Sequence, residues 1–288
     1  MSSKDFSVIA SFLKDRSGLI IGEDKTYLLE TRLSAILREH NIPGLSGLAD
    51  ILRQPGPHAV KDKVVDAMTT NETSFFRDNH PFETLRQSLI PGLIARRASS
   101  RSLRIWSAAC STGQEPYSLA MMLKDNFPIL GGWKVEIVAT DLSPTVLDRA
   151  RGGVYSTFEV QRGLPIQMLV RHFDQEEPNW RIKNEIRQTV TFRPLNLLED
   201  FSSLGQFDIV LCRNVLIYFD QPTKTRILGA IARRIVNDGV LLLGGAESVF
   251  GLSDAFVGQT GLKGVYGHAT GAKPALPPRP SLPLTAVS

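Results

Sequence analysis

Cysteine is almost absent: Cys110 and Cys212 are the only two in 288 residues, and they lie far apart. That excludes a disulfide framework and a cysteine-built zinc knuckle, and it fits a reducing compartment. The histidines, His40, His58, His80, His172 and His268, form no HxxxH or HxH pair, so no metal site is expected. No apolar run approaches the ~20 residues that cross a bilayer. The first residues also lack the apolar core of a secretory signal. A cytoplasmic protein without direct membrane insertion is the expectation. Charge of one sign is scarce as well. Lysine and arginine number 33 against 29 acidic residues, a net charge of +4 with no block of like charge. So small a bias, without a basic tract carrying interleaved aromatics, does not argue for a nucleic-acid partner.

What is present is ordinary globular material. A hydrophobic content of 42% supplies a core, and the length allows one large domain or two smaller ones. Residues 3 to about 97 carry helical periodicity, as in Phe6, Ile9, Phe12 and Leu13 and again in Leu28, Leu29, Leu33, Ile36 and Leu37. Breaks fall at Gly18–Gly22, Pro43-Gly44 and Pro55-Gly56-Pro57. The polar run Arg96–Ser102 reads as a linker. Beyond it the grammar changes. Short β-branched runs at Leu103–Ser107, Lys134–Ala139, Phe207–Cys212 and Val240–Leu243 alternate with helical stretches near 115–126, 144–151 and 222–237. Gly264–Tyr266 makes a possible edge strand. This is the pattern of an α/β fold with a parallel sheet covered on both faces. Residues of about 153–190 interrupt it and read as a small inserted β-subdomain. The expected division is a helical N-terminal domain over 1–97, a sheet domain over 98–268, and a disordered Pro-rich tail over 269–288.

Ligands in such sheets sit at the carboxyl ends of the strands. The first strand runs into Ser107-Ala108-Ala109-Cys110-Ser111-Thr112-Gly113, whose small residues let the backbone approach a ligand. Gly113 stands alone, so the GxGxxG cradle of a dinucleotide is missing and a nicotinamide dehydrogenase is disfavoured. An adenosyl ligand without phosphates fits better. Glu115 belongs to a stretch that reads equally as a capping box, Thr112-Gly113-Gln114-Glu115. Asp141 follows the second strand, where a carboxylate accepts bonds from two ribose hydroxyls; Ser143-Pro144 already provides the cap and first-turn proline of the next helix. Asn196 sits after a third strand, where asparagine also suits a plain turn. Arg213-Asn214 closes the apolar run Phe207–Cys212 and precedes Val215-Leu216-Ile217-Tyr218-Phe219. Ahead of the sheet lies Thr69-Thr70-Asn71-Glu72-Thr73-Ser74-Phe75-Phe76-Arg77, a polar-aromatic mixture whose plain reading is a helix start capped by Asn71 or Thr73.

Together these blocks resemble one family, the chemotaxis receptor methyltransferases known as CheR. The likeness rests on Thr70–Arg77, Trp106–Ser118, Ala139-Thr140-Asp141, Asn196-Leu197 and Cys212–Phe219, which occur in the family's order. It implies a Rossmann-like class I methyltransferase sheet, an N-terminal all-helical domain and a small inserted β-subdomain. The implied cofactor is S-adenosylmethionine, with S-adenosylhomocysteine as product. Carried over residue by residue, cofactor-binding positions are Asn71, Thr73, Arg77, Glu115, Asp141, Asn196, Leu197, Arg213 and Asn214. Tyr218 matches the family's active-site tyrosine, and Arg77 is the second candidate at the reacting centre. Lys25, Arg32 and Arg38 match basic positions of a helix that faces the receptor. Gln114 departs from the acidic residue frequent in relatives, while Glu115 keeps a carboxylate beside it.

The resemblance implies methylation of glutamate side chains on methyl-accepting chemotaxis receptors by a monomeric cytoplasmic enzyme recruited to membrane receptor arrays. A non-catalytic module that binds S-adenosylmethionine and signals its presence is the competing reading. An RNA methyltransferase is a third, suggested by the net positive charge and weakened by the missing basic–aromatic tract.

Overall fold

The computed structural model describes residues 2–56 and 58–269. The tail expected to be disordered therefore lies, apart from Ala269, outside the described residues. Four helices open the chain: α1 (Ser3–Ser17), α2 (Thr26–Glu39), α3 (Gly44–Arg53) and α4 (Ala59–Met68). Apolar residues at helical spacing, among them Ile9, Leu13, Leu29, Leu33, Leu48, Val64 and Met68, form a core of their own. Ser2 caps α1 by accepting the Asp5 N–H, and Gly18 ends it at φ +75°. Glycine is required there for a second reason: a Cβ would lie 2.7 Å from the Phe219 ring of the sheet domain.

From Thr69 to Asn79 the chain forms neither helix nor strand, so Asn71 and Thr73 cap no helix. Phe75 pins this segment by edge-on contacts with Tyr155 at 5.0 Å and Phe173 at 5.7 Å. Helix α5 (His80–Thr84) continues through a π-helical turn, Leu85–Leu89, into α6 (Ile90–Arg96). The widened turn precedes Pro91, which has no N–H to donate.

The division expected at residue 97 does not match the packing. Phe82, Leu85, Leu89, Ile90 and Leu93 pack with sheet residues, whereas the core of the helical domain ends at Met68. The supposed linker is anchored too. Nε of Arg97 donates to Asp208 at 2.8 Å, its Nη1 and Nη2 donate to Asp238, and Arg96 donates to Asp238 at 2.9 Å.

The second domain alternates strand and helix: β1 (Ser102–Ala108), α7 (Gln114–Asn126), β2 (Lys134–Asp141) and α8 (Pro144–Gly152). An inserted lobe follows, made of β3 (Val154–Ser156), α9 (Thr157–Gln161), α10 (Ile166–His172), β4 (Phe173–Glu176), β5 (Asn179–Ile182) and α11 (Asn184–Arg187). Its strands form a separate antiparallel sheet with β5 in the middle. The main chain resumes with β6 (Val190–Pro194), β7 (Phe207–Cys212), α12 (Gln221–Ala232), β8 (Ile235–Leu243), β9 (Phe256–Gly258) and β10 (Val265–His268).

The main sheet has the order β6-β2-β1-β7-β8-β10-β9, parallel from β6 to β8 and antiparallel at β10 and β9. Period-two alternation sends Leu103, Ile105, Ile209, Leu211, Val240 and Leu242 to one face. Trp106, Ala108, Val210, Cys212, Leu241 and Leu243 point to the other. Strand β8 begins earlier and α12 ends earlier than the sequence pattern indicates, because Ile235 is buried against Phe207 in the sheet. Gly239 permits that path, since a Cβ there would stand 2.8 Å from the Asp208 carbonyl oxygen.

Candidate active site

The strand order reverses between β1 and β7: the chain runs outward from β1 through β2 to β6, then returns to the other side of β1. A topological switch of this kind opens a crevice at the carboxyl ends of the two central strands. A cleft of about 1010 Å³, including its solvent-filled mouth, lies there. The backbone around it is unusual. Ala109 and Ser111 beyond β1, Asn214 beyond β7, and Phe76, Asp78 and Asn79 in the connecting segment all have φ between 47° and 66°. Such conformations cost non-glycine residues about 1–3 kcal/mol each and cluster where geometry serves function.

All ten residues singled out as cofactor-binding or catalytic line this cleft: Asn71, Thr73, Arg77, Glu115, Asp141, Asn196, Leu197, Arg213, Asn214 and Tyr218. They arrive from five separate stretches of chain. Asp141 ends β2 and is buried; its Oδ2 accepts the Ser111 N–H at 2.8 Å and its Oδ1 the Ser143 N–H at 3.0 Å. Helix α8 is capped by Ser143, leaving Asp141 outside the cap. Burial pushes the Asp141 carboxyl up from its ordinary range. A carboxylate so placed keeps lone pairs free for hydroxyl donors.

Glu115 does not close a capping box, because Gly113 offers no side-chain cap. Its Oε1 accepts the Ser107 hydroxyl and its Oε2 accepts Arg213 Nη1, each at 2.8 Å. Arg213 is a staple. Its side chain is 1% exposed, and Nη2 donates to the Arg77 carbonyl at 2.9 Å and to Asp78 at 2.8 Å. Its guanidinium lies 5.8 Å from the Phe82 ring centre. The buried Nε has no partner among the described residues.

The other lining residues are held by local contacts. Arg77 donates to the Glu72 carbonyl at 2.8 Å, and the Asn71 carbonyl accepts the Ser111 hydroxyl at 2.8 Å. Asn196 fills both readings open to it: it lines the cleft, and it organises a turn by donating to the Arg16 carbonyl at 2.8 Å and accepting the Leu198 N–H at 3.0 Å. Tyr218 sits in the 3-10 turn Leu216–Tyr218, its carbonyl accepting the Ile20 N–H at 3.2 Å.

Lys25, Arg32 and Arg38 lie outside the cleft. Lys25 and Arg38 are exposed. Arg32 turns inward: its Nη1 donates to the carbonyls of Met68 at 2.9 Å and Thr69 at 3.1 Å, and both Nη atoms reach the Thr70 hydroxyl. These bonds make it a clamp on the chain entering the cleft.

Ser17 and Leu19, at the end of α1, also line the cleft and carry no sequence signal for it. Glu247, just beyond β8, was missed as well. Its carboxylate accepts four backbone N–H groups in the loops at the cleft. The rule that sites form beyond strand carboxyl ends points to that position.

The profile of the CheR methyltransferase SAM-binding domain matches residues 71–262, and that of the CheR methyltransferase all-alpha domain matches residues 4–69. The chain belongs to the CheR methyltransferase family. The junction between the two CheR matches falls where the packing changes after Met68. Chemotaxis protein methyltransferase 1 of Pseudomonas aeruginosa is 45% identical over 88% of this chain and 94% of its own length. Chemotaxis protein methyltransferase Cher2 of Pseudomonas putida is 44% identical over 88% and 93%. Chemotaxis protein methyltransferase 1 of Vibrio cholerae is 40% identical over 89% and 93%.

The cofactor of this CheR chain is S-adenosylmethionine, and the residues present suit it. Arg213 Nε is a buried donor without a protein partner, matched to an anionic group such as the cofactor's carboxylate. Asp141 offers an acceptor suited to hydroxyls, and the turn after β1 lacks the glycine cradle a pyrophosphate needs.

Proposed function

We propose that the chain transfers a methyl group from S-adenosylmethionine to glutamate side-chain carboxylates of chemotaxis receptors, forming glutamyl methyl esters for sensory adaptation. It is an enzyme, a protein-glutamate O-methyltransferase. The observation that carries the reading is the convergence of five sequence-distant blocks on one cleft at the switch point of the sheet.

When bound, the cofactor would supply an electrophilic methyl on a sulfonium, with S-adenosylhomocysteine as the group displaced by the carboxylate oxygen. The protein's residues hold and orient. Asp141 would accept from the ribose hydroxyls, and Asn71, Thr73, Glu115, Asn196, Leu197, Arg213 and Asn214 would form the rest of the cofactor's walls. A glutamate with an ordinary pKa near ~4.3 is ionised at neutral pH, so no general base is required. Alignment and exclusion of water then provide the rate; well-oriented approximation is worth on the order of 7–11 kcal/mol. Arg77 orients the incoming carboxylate or the cofactor. Tyr218 acts at the reacting centre, either with its ring against the sulfonium, an attraction of roughly 0.5–2 kcal/mol, or with its hydroxyl on the substrate.

The substrate side of the reading is the cytoplasmic signalling domain of the receptors, met at membrane arrays, with Lys25, Arg32 and Arg38 as the docking cations. None of the described helices is long and apolar enough to cross a membrane. The test is incubation with radiolabelled S-adenosylmethionine and receptor-containing membranes. The label should enter the receptor and leave as methanol in base. Cofactor binding without transfer would favour the non-catalytic module, and label in RNA would replace the substrate.

A further inference from the structure

We infer that Glu247 is a positioning residue for methyl transfer, one that acts through Asn214 and Tyr218 without entering the cleft itself. The inference rests on the function proposed above. Strands β7 and β8 end side by side, with Cys212 opposite Leu243. Beyond Cys212 the chain must turn so that Asn214 and Tyr218 both face the cleft. It does so with Asn214 at φ +59°, a conformation that asparagine tolerates better than most residues but that still needs support.

That support is one side chain. The N–H groups of Asn214 and Gly244 donate to Oε2 of Glu247 at 2.7 and 2.8 Å. Those of Val215 and Leu216 donate to Oε1 at 2.9 and 2.7 Å. Three consecutive amides converging on one carboxylate form an anion-binding nest whose occupant is built into the chain. Short bonds to an ionised acceptor are the stronger kind. Gly244 completes the arrangement, since a Cβ there would stand 2.7 Å from Glu247 Oε2 and 2.9 Å from the Asn214 nitrogen.

The chemistry of the carboxylate is specific. Each oxygen receives two donors, so both must be acceptors. In Glu247→Gln the shape is kept, but an NH2 group confronts two N–H donors. The loop then loses its register, and Tyr218, only two residues past Leu216, moves with it.

The experiment compares wild type, E247Q, Y218A and the double variant. It measures receptor methylation at saturating S-adenosylmethionine, S-adenosylhomocysteine affinity by calorimetry, and amide hydrogen exchange without ligand. E247Q is expected to lower kcat on the order of 100-fold, to weaken the product's binding through Asn214, and to speed exchange at residues 214–216. In the Y218A background it should lower kcat far less, because the ring and hydroxyl it positions are both already gone. Wild-type kcat and wild-type exchange in E247Q overturn the inference, as does a kcat loss that multiplies independently of Tyr218. If E247Q does not fold, G244A disturbs the same carboxylate from the opposite side, with the same outcomes decisive. Failure of the wild type to bind S-adenosylhomocysteine would overturn the proposed function instead, while exchange at residues 214–216 would still report on Glu247.

Discussion

Replacing Arg213 with methionine isolates the electrostatic staple of the cleft. Methionine keeps much of the apolar stem, so what disappears is the cation and its hydrogen bonds to Glu115, Asp78 and the Arg77 carbonyl. Removing one partner of a buried pair costs about 3–5 kcal/mol, because the other charge is left without compensation. Asp78 is 51% exposed, so water replaces its partner and its share is small. Glu115 is only 12% exposed and carries most of the penalty, tempered by its remaining bond to Ser107. A loss of about 3 kcal/mol is therefore expected, equivalent to a fall of roughly 6–12 °C in thermal midpoint for a domain of this size. The assay is urea and thermal unfolding without ligand. Adding Glu115→Gln neutralises the stranded carboxylate and should return about 1–2 kcal/mol, so that R213M/E115Q is more stable than R213M. An R213M cost below about 1 kcal/mol, or further destabilisation by E115Q, refutes the staple.

Asp141→Ala should abolish measurable S-adenosylmethionine binding in calorimetry and cost about 1–3 kcal/mol of stability, since the Ser111 and Ser143 amides lose their acceptor; unchanged affinity would remove Asp141 from the site. Lys25→Glu with Arg38→Glu should slow receptor methylation while sparing cofactor affinity, with the difference narrowing at high salt. Equal methylation by that pair defeats the docking role. Asp238 lies beside Arg97, which holds its carboxyl below the ordinary range. A depressed folded-state pKa stabilises at pH values above the unfolded pKa of about 4, and that contribution fades as the pH falls through the folded value. The stability gap between wild type and Asp238→Asn should therefore shrink on acidification below about pH 4; a gap that widens contradicts the pairing.

Much of the architecture was legible in residue patterns because each pattern reports a local property. Short, nearly continuous apolar runs at Leu103–Ser107 and Phe207–Cys212 marked strands buried on both faces, and the helical periodicity before Met68 marked a helical domain. Periodicity says that a face is apolar and not what covers it. Phe82, Leu85 and Leu93 therefore looked like members of the helical domain, although they pack on the sheet. Arg32 illustrates the same limit for charge. The family resemblance implied a docking cation, and its reach to the carbonyls of Met68 and Thr69 depends on where α4 ends in space.

Local chemistry, then, was determined by the sequence alone: which segments become strands or helices, that the turn after β1 lacks a phosphate cradle, and which ordered polar blocks belong to a methyltransferase. Only the tertiary structure decided how those blocks share one cleft, that Arg213 joins Glu115 to Asp78, and that Glu247 holds the loop beyond β7. The physical reason is range. Propensity, capping and period-two burial act within a few residues, whereas a buried ion pair or an anion nest exists only once distant stretches of chain meet and exclude water.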